Sequence, residues 1–274
     1  MTIDPETRAA IAAGNPPPIP LAGKLRIARR LAGLLGLLIV FVPLHYLWRL
    51  FRARSPWPRT FLGATARLAG ARVACIGTPR GTDVFYTSNH VSWIDILAIA
   101  GESGTAFVAK RQIRDAPVIG WLSTLNRTVF IDRDNRLGVI DQIGKLRAAL
   151  DRNWAVAVFP EGTTTDGQSL LPFKTPMFRV LEPPPPGVLV QPVLLDYGQA
   201  AEEIGWVGAE TGVQNAMRVL ARRGSFALTI HFLAPFDPAD FPGRKPIAAE
   251  AQRRTEQALL GILGKPLRPF AYLP

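Results

Sequence analysis

The sequence predicts an α/β protein: a mixed, largely parallel β-sheet flanked by helices, with an N-terminal helical membrane anchor. From Arg72 onward, short runs rich in β-branched and aromatic residues alternate with longer segments of helical periodicity, a pattern typical of α/β domains. Before that point lies a long apolar segment between two groups of basic residues. We therefore expect a flexible arm over residues 1–22, a helical anchor over 23–71 and one α/β domain over 72–274.

The first region contains the proline-rich stretch 16–20 and few bulky apolar residues, so we expect it to be mobile or loosely packed. It does not have the form of a secretory signal peptide, because the apolar segment begins late and no cleavage site of small residues follows it before Arg49. Cys75 is the single cysteine, which excludes an internal disulfide and a multi-cysteine zinc site. We expect Cys75 to be buried in a strand.

The anchor is predicted from an uninterrupted apolar run over 31–44, which extends to Trp48 if His45 is tolerated. About 18 helical residues would span about 27 Å, slightly less than a hydrocarbon core. Because Pro43 is also expected to kink the helix, a shallow or re-entrant anchor is favoured over a full span. A buried helix of a soluble core is the third interpretation. A second, short amphipathic helix is expected over 59–71.

The formal net charge of +11 indicates anionic partners. Its distribution favours a membrane surface over nucleic acid, because basic residues flank the apolar run instead of alternating with exposed aromatic residues. The flanking residues are Lys24, Arg26, Arg29, Arg30, Arg49, Arg52, Arg54 and Arg59. We therefore expect no nucleic-acid partner.

The α/β domain is predicted to contain seven strands. A helix is expected between the fourth and fifth strands over 139–150, where apolar residues recur at helical spacing. A final helix is expected over 246–263, followed by a loosely docked tail after Pro266. The predicted strands are Arg72–Ile76, Asp83–Thr87, Thr105–Val108, Thr128–Ile131, Ala155–Phe159, Val188–Leu195 and Phe226–Leu233.

Among the three histidines, His90 is the candidate for acid–base chemistry, because it follows a predicted strand and precedes a predicted helix. Ser92 and Asp95 have the spacing of a capping box at that helix start. Within one continuous helix, residues 90 and 95 would lie about 140° apart, whereas a loop before the N-cap allows His90 to fold back onto Asp95. Asp95 would then orient the imidazole and stabilise its protonated form. From spacing alone, a helix cap beside a surface histidine remains the alternative.

Two further segments follow predicted strands. The first, 159–167, combines Glu161 and Gly162 with the three hydroxyls at 163–165, which together suit a polyol or an anionic head group. A solvent-exposed turn is the alternative for this segment. The second, Phe130–Arg133, ends on an arginine that can hold a phosphate or pair with a neighbouring aspartate.

Taken together, these segments resemble the motifs of the glycerolipid acyltransferase family, which includes bacterial 1-acylglycerol-3-phosphate acyltransferase. The family's motifs are similar to N-H-x4-D, F-I-D-R, F-P-E-G-T and a later strand with a proline–valine pair. Here they stand in that order at 89–95, 130–133, 159–163 and 191–193. The resemblance implies that 72–274 is the catalytic domain of an O-acyltransferase.

The resemblance also implies roles for individual residues. His90 would be the general base on a free hydroxyl of the acceptor, and Asp95 would orient it. Arg133 would bind an acceptor phosphate, and Lys110 resembles a family lysine near the acceptor. The segment 161–164, comprising Glu161, Gly162, Thr163 and Thr164, would shape the acceptor site. The acyl donor would be acyl-CoA or acyl carrier protein, with no cofactor and no metal.

One departure from the family pattern concerns the acceptor. Many members read E-G-T-R, whereas this chain has Thr164 at the arginine position. A charge-assisted contact worth about 1.5–3 kcal/mol is thereby missing. Lysophosphatidate is still favoured because Arg133 remains, and a zwitterionic lyso-ornithine lipid is the close alternative. The expected location is the cytoplasmic face of the cell membrane.

Two other functional classes compete with the transferase. A thioester or ester hydrolase would use the same histidine–aspartate pair to activate water, although the sequence lacks a G-x-S-x-G nucleophile motif. A non-catalytic membrane-binding module would depend on the basic, apolar N-terminal segment alone. The first class predicts acyl-CoA cleavage without an acceptor, and the second predicts that His90 is dispensable.

Overall fold

The computed structural model describes residues 3–51, 55–110, 114–131, 139–152 and 154–272. The strands are β1 (Ala71–Ile76), β2 (Val84–Ser88), β3 (Ala106–Lys110), β4 (Val129–Ile131), β5 (Ala155–Val158), β6 (Leu189–Asp196) and β7 (Phe226–Phe232). The helices are α1 (Pro5–Ala12), α2 (Leu21–Arg49), α3 (Trp57–Ala69), α4 (Ile94–Ser103), α5 (Pro117–Leu125), α6 (Val139–Leu150), α7 (Ala201–Ile204), α8 (Gly212–Ala221) and α9 (Arg244–Leu263).

The strands form one seven-stranded sheet in the order β1-β7-β6-β2-β5-β3-β4. Only the β6–β7 pair is antiparallel, and the other neighbouring strands are parallel. The predicted mixed, largely parallel sheet is therefore confirmed. Because β2 lies between β5 and β6 and runs parallel to both, the carboxyl ends of these three strands meet at one edge of the sheet. We call this edge the carboxyl edge.

Both faces of the central strands β2 and β5 are buried, as expected for strands covered by helices on either side. Along β2, Phe85 and Tyr86 are both fully buried and belong to different apolar clusters. Successive side chains of a strand point to opposite faces, so each residue fills one of the two layers. The Tyr86 layer contains Ile94 and Ile99 of α4, which begins directly beyond the carboxyl edge. The sheet and α4 therefore hold that edge rigidly.

The predicted N-terminal helices form α2 and α3. Helix α2 has 29 residues and continues through Pro43. It packs against α3 through aromatic contacts, with the ring centroids of Phe41 and Trp57 5.8 Å apart. By length and composition α2 is able to cross a membrane, and only 6% of its most apolar window is buried. Its exposed apolar side chains include Leu31, Leu35, Ile39, Val40, Leu47 and Trp48.

Both chain termini dock onto the domain, which differs from the expectation of loosely packed ends. Helix α1 buries Arg8 and Ile11, and the Arg8 guanidinium donates to the carbonyl of Glu202 at 2.9 Å. At the other end, Arg268 donates to the carboxylate of buried Asp166 at 2.8 and 3.1 Å. Charged side chains that find buried partners can thus order segments whose composition predicts disorder.

Cys75 is exposed, so the expectation of a buried thiol was wrong. It lies on β1, whose residues from Arg72 onward are mostly uncovered. Because β1 is the edge strand next to β7, it has a sheet neighbour on one side only.

Candidate active site

The histidine–aspartate pair lies at the carboxyl edge. Strand β2 ends at Ser88 and α4 begins at Ile94, so His90 occupies the turn between them. This turn brings Nδ1 of His90 to 2.7 Å from Oδ2 of Asp95. The His90 side chain is 16% exposed, whereas that of Asp95 is fully buried. Within the described residues, Nε2 of His90 has no hydrogen-bond partner, so this nitrogen is available to a substrate.

Asp95 is held by more donors than the sequence suggests. Its Oδ2 atom accepts the backbone N–H of Val91 at 2.6 Å and that of Ser92 at 3.0 Å, besides the His90 ring. Only half of the predicted capping box forms, because the buried Ser92 hydroxyl has no partner among the described residues. Since Asp95 Oδ2 is an acceptor, His90 Nδ1 carries the proton in the neutral ring and Nε2 is the basic nitrogen.

Tyr197, which follows β6, donates its hydroxyl to the other carboxylate oxygen, Oδ1 of Asp95. Burial and the charge of Asp95 raise the pKa of Tyr197 well above its ordinary value, so the hydroxyl keeps its proton and stays a donor. No local sequence motif marks Tyr197 as a site residue. Tyr197 lies 102 residues from Asp95, and only the pairing of β6 with β2 brings them together.

Buried Asn89 ties the same turn to β6. Its side chain donates to the carbonyl of Leu195 at 3.1 Å and accepts the backbone N–H of Leu195 at 2.7 Å. An asparagine can make this paired contact because its amide carries both a donor and an acceptor. The asparagine that precedes the histidine in the motif thus positions the turn and does not face the substrate side.

Glu161, which follows β5 in the sequence, binds the backbone of the turn that contains His90. One carboxylate oxygen accepts the backbone N–H of His90 and the other accepts that of Leu171, each at 2.8 Å. Burial raises the pKa of Glu161 to about 8, although both hydrogen bonds act in the opposite direction. The carbonyl of His90 in turn accepts the backbone N–H of Thr165 at 2.7 Å. The turn and the 161–165 loop are therefore joined at both backbone groups of His90.

An aromatic wall supports the His90 ring. The ring stacks on Phe159 with centroids 3.9 Å apart and an interplanar angle of 13°. Phe159 stacks in turn on Phe107, at 5.5 Å. This apolar wall limits rotation of the imidazole and excludes water from one of its faces.

The residues of the 161–164 segment have different environments. Gly162 has a φ of +77°, and a Cβ there would lie 2.8 Å from Nζ of Lys174, so this position requires glycine. Thr163 is half-buried. The Thr164 side chain faces the protein, is 8% exposed and donates to the carbonyl of Trp206 at 2.5 Å. Sequence position alone did not indicate that Thr164 is directed inward.

Of the two remaining predicted site residues, the structure describes the backbone of one, Lys110. Lys110 ends β3, which pairs in parallel with β4 and β5, so its backbone lies towards the same carboxyl edge. Arg133 follows β4 and lies outside the described residues.

Comparison with known proteins identifies the family. A family model described as Acyltransferase matches residues 73–196, which contain the turn, the 161–165 loop and Tyr197's neighbouring strand β6. The lyso-ornithine lipid O-acyltransferase of Brucella abortus is 30% identical over 264 residues, covering 88% of this chain and 98% of that protein. The chain belongs to the lysolipid acyltransferase family.

Further members of the family differ in how much of the chain they match. The lyso-ornithine lipid O-acyltransferase of Rhodobacter capsulatus is 31% identical, over 90% of this chain and 95% of its own length. The 1-acyl-sn-glycerol-3-phosphate acyltransferase of Neisseria gonorrhoeae is 36% identical, over 43% of this chain and 46% of its own length. The crystal structure of the acyltransferase PlsC from Thermotoga maritima shares the fold, with a TM-score of 0.62, 23% identity and coverage of 89% of this chain and 98% of that one.

Proposed function

We propose that this acyltransferase uses His90 as the general base and Asp95 as the group that orients it. The 2.7 Å contact between Nδ1 of His90 and Oδ2 of Asp95 supports the proposal most directly. It leaves Nε2 as the basic nitrogen on a ring that is partly exposed beside buried supporting groups. No other described histidine is paired with a carboxylate by a hydrogen bond.

The reaction proceeds through attack of a lysolipid hydroxyl on the thioester carbonyl of the acyl donor. As the new C–O bond forms, the hydroxyl proton moves to Nε2 of His90, and Asp95 stabilises the resulting imidazolium. Collapse of the tetrahedral intermediate breaks the C–S bond. The imidazolium then returns its proton to the departing thiolate, so the products are an ester and a free thiol.

For the acceptor, we propose a lyso-ornithine lipid. The relatives named for that activity match this chain over 82–90% of its length. In addition, Thr164 is turned inward onto Trp206, so this position offers no cation for a phosphate monoester. Lysophosphatidate is the second candidate. It is supported by the locally higher identity to the Neisseria enzyme and by Arg133, which stands at the family's phosphate-binding position.

The remaining assignments complete the proposal. We expect Lys110, Arg133 and Thr163 to contact the acceptor. Glu161, Gly162 and Thr164 shape the same loop from within, since Glu161 and Thr164 bind backbone groups of the protein and Gly162 has a positive φ. The donor is acyl-CoA or acyl carrier protein, both of which are anionic and suit a chain of net charge +11. Helix α2, a continuous helix of 29 residues, anchors the enzyme in the cell membrane with the catalytic domain on the cytoplasmic side.

An acceptor panel tests this function. The purified chain is incubated with lyso-ornithine lipid or lysophosphatidate, each with acyl-CoA and with acyl carrier protein as donor. We expect ester formation that depends on His90 and is faster with lyso-ornithine lipid. Preference for lysophosphatidate would refute the acceptor assignment. Fatty-acid release without acceptor, undiminished when lysolipid is added, would refute the transferase mechanism in favour of hydrolysis.

A further inference from the structure

A cleft of about 600 Å³ lies where the end of the anchor helix meets α5, away from the carboxyl edge. Helix α2 contributes Tyr46 and Arg49, and α5 contributes Trp121 and Thr124. Trp154 also lines the cleft and directly precedes β5, so it lies at the amino end of the strand whose carboxyl end leads to Glu161. The cleft is therefore at the opposite edge of the sheet from the histidine–aspartate pair.

A second cleft of about 570 Å³ adjoins the first and shares Thr124, Arg127 and Trp154 with it. The guanidinium groups of Arg127 and Arg152 lie over the Trp154 ring, 5.1 and 5.9 Å from its centroid. The cations that line the two clefts are Arg49, Arg114, Arg127, Lys145 and Arg152.

Helix α5 exposes apolar side chains beside this basic region. Val118 is 57% exposed, Ile119 is 61% exposed and Trp121 is 39% exposed. Because Trp121 and Tyr46 line the same cleft, the exposed surface of α5 is continuous with the exposed surface of α2. Apolar residues next to aromatic residues and cations are the arrangement found where a protein meets the interfacial region of a bilayer.

We propose that the cleft between α2 and α5 binds the phosphate of an anionic phospholipid head group, and that α5 is a second membrane-contacting element. Arg49 and Arg127 supply charge at the phosphate, while Tyr46 and Trp121 lie at the level of the head groups. Val118 and Ile119 enter the acyl region beside α2. The inference rests on the membrane anchoring of the proposed function and does not depend on acyl transfer.

Vesicle partitioning of the full-length chain tests the proposal. The protein, purified in detergent, is mixed with vesicles of phosphatidylcholine alone or with added phosphatidylglycerol, and the bound fraction is measured by flotation. In the variant Arg49→Gln/Arg127→Gln, we expect partitioning into anionic vesicles to fall by about fivefold for each arginine, or about 25-fold for the pair. The control Arg179→Gln/Lys245→Gln removes two charges that line neither cleft, and it should change partitioning less than twofold.

A fluorophore reports on α5 separately. In a Cys75→Ser background, it is attached at Ile119→Cys or at the exposed control position Lys245→Cys. We expect brominated lipid to quench the label at position 119 and to leave the label at 245 unaffected. An unquenched label at 119, or equal losses in the arginine variant and its charge control, would overturn the proposal.

Activity in detergent, where no bilayer is present, distinguishes the cleft from a donor site. We expect the KM for acyl-CoA in the Arg49→Gln/Arg127→Gln variant to remain within twofold of the parent value. A large rise in that KM would show that the cleft binds the phosphates of coenzyme A and would overturn the lipid assignment. Partitioning is measurable even if the acyltransferase assignment fails, so the two failures are distinguishable.

Discussion

Replacing Tyr197 by phenylalanine removes a single hydroxyl from the support of the proposed base. That hydroxyl donates to Oδ1 of Asp95. The carboxylate is fully buried, and its Oδ2 atom retains the His90 ring and two backbone N–H groups. Among the described residues, Oδ1 has no second donor. The variant therefore leaves one oxygen of a buried carboxylate unsatisfied.

The expected magnitudes follow from this loss. A hydrogen bond to a charged group contributes about 1.5–3 kcal/mol, and the free energy of unfolding should fall by that amount. For kcat/KM we expect a decrease of about tenfold, equivalent to about 1.4 kcal/mol, because the Oδ2 contacts still orient the ring. Without the tyrosine hydroxyl, the negative charge of Asp95 is also less compensated and attracts the imidazolium more strongly. The acid limb of the pH–rate profile should therefore move to higher pH.

Tyr86→Phe provides a matched control for Tyr197→Phe. Tyr86 is also fully buried, and its hydroxyl donates to the carbonyl of Arg80 at 2.5 Å, without contact to the dyad. Urea unfolding and steady-state rates across pH are measured for both variants. The control should lose stability and keep its pH–rate profile. If Tyr197→Phe also kept its profile and its kcat/KM, Tyr197 would be structural only, and the proposed positioning role would be refuted.

Three further predictions concern other parts of the site. His90→Ala should lower kcat/KM by about 10²–10⁴-fold with an unchanged circular dichroism spectrum, and a near-normal rate would exclude it as the base. The pKa of Glu161 is about 8 in the folded protein and 4.5 in the unfolded chain, so the folded protein holds the proton more tightly. The stability that the protonated Glu161 contributes is therefore fully present below pH 4.5 and is lost as the pH rises through 8. Urea unfolding should show a slope of up to about 1.4 kcal/mol per pH unit between these values, and an identical slope in Glu161→Gln would contradict this cause. Arg268→Gln should lower the free energy of unfolding by about 1 kcal/mol in the same assay, because the Arg268 side chain is partly exposed. In this variant Asp166 also keeps the Arg8 guanidinium at 3.7 Å. A loss above about 3 kcal/mol would instead indicate that the buried charge of Asp166 is left uncompensated.

The strands were predictable because each has a local pattern. All seven strands predicted from β-branched runs between turn residues overlap observed strands. Strand β6, for example, spans Leu189–Asp196, and the prediction was Val188–Leu195. Their order in the sheet was not predictable in the same way. β2 pairs with β5 and β6, each separated from it by many residues and by intervening helices. Such pairings depend on how the helices pack across the sheet, which local periodicity does not encode.

At the two chain termini, the prediction made from composition differs from the structure. Proline-rich and polar segments predict loose ends, yet Arg8 is buried against Glu202 and Arg268 pairs with Asp166. Each contact joins residues that are far apart in the chain, so the energy that orders these ends is absent from the local sequence. Both arginines reach the loop region that follows Thr165, whose N–H in turn holds the carbonyl of His90.

Local sequence patterns were sufficient to predict the fold class and the strand positions, and they identified His90 and Asp95 as a candidate pair within six consecutive residues. The contact between the two side chains, and everything that surrounds them, depends on the tertiary structure. Tyr197 reaches Asp95 because β6 lies beside β2, and Glu161 reaches the backbone of His90 because β5 lies on the other side. Thr164 turns inward because the carbonyl of Trp206, 42 residues away, is its acceptor. Each of these contacts joins different elements of the fold, and buried polar groups must find their partners wherever packing places them.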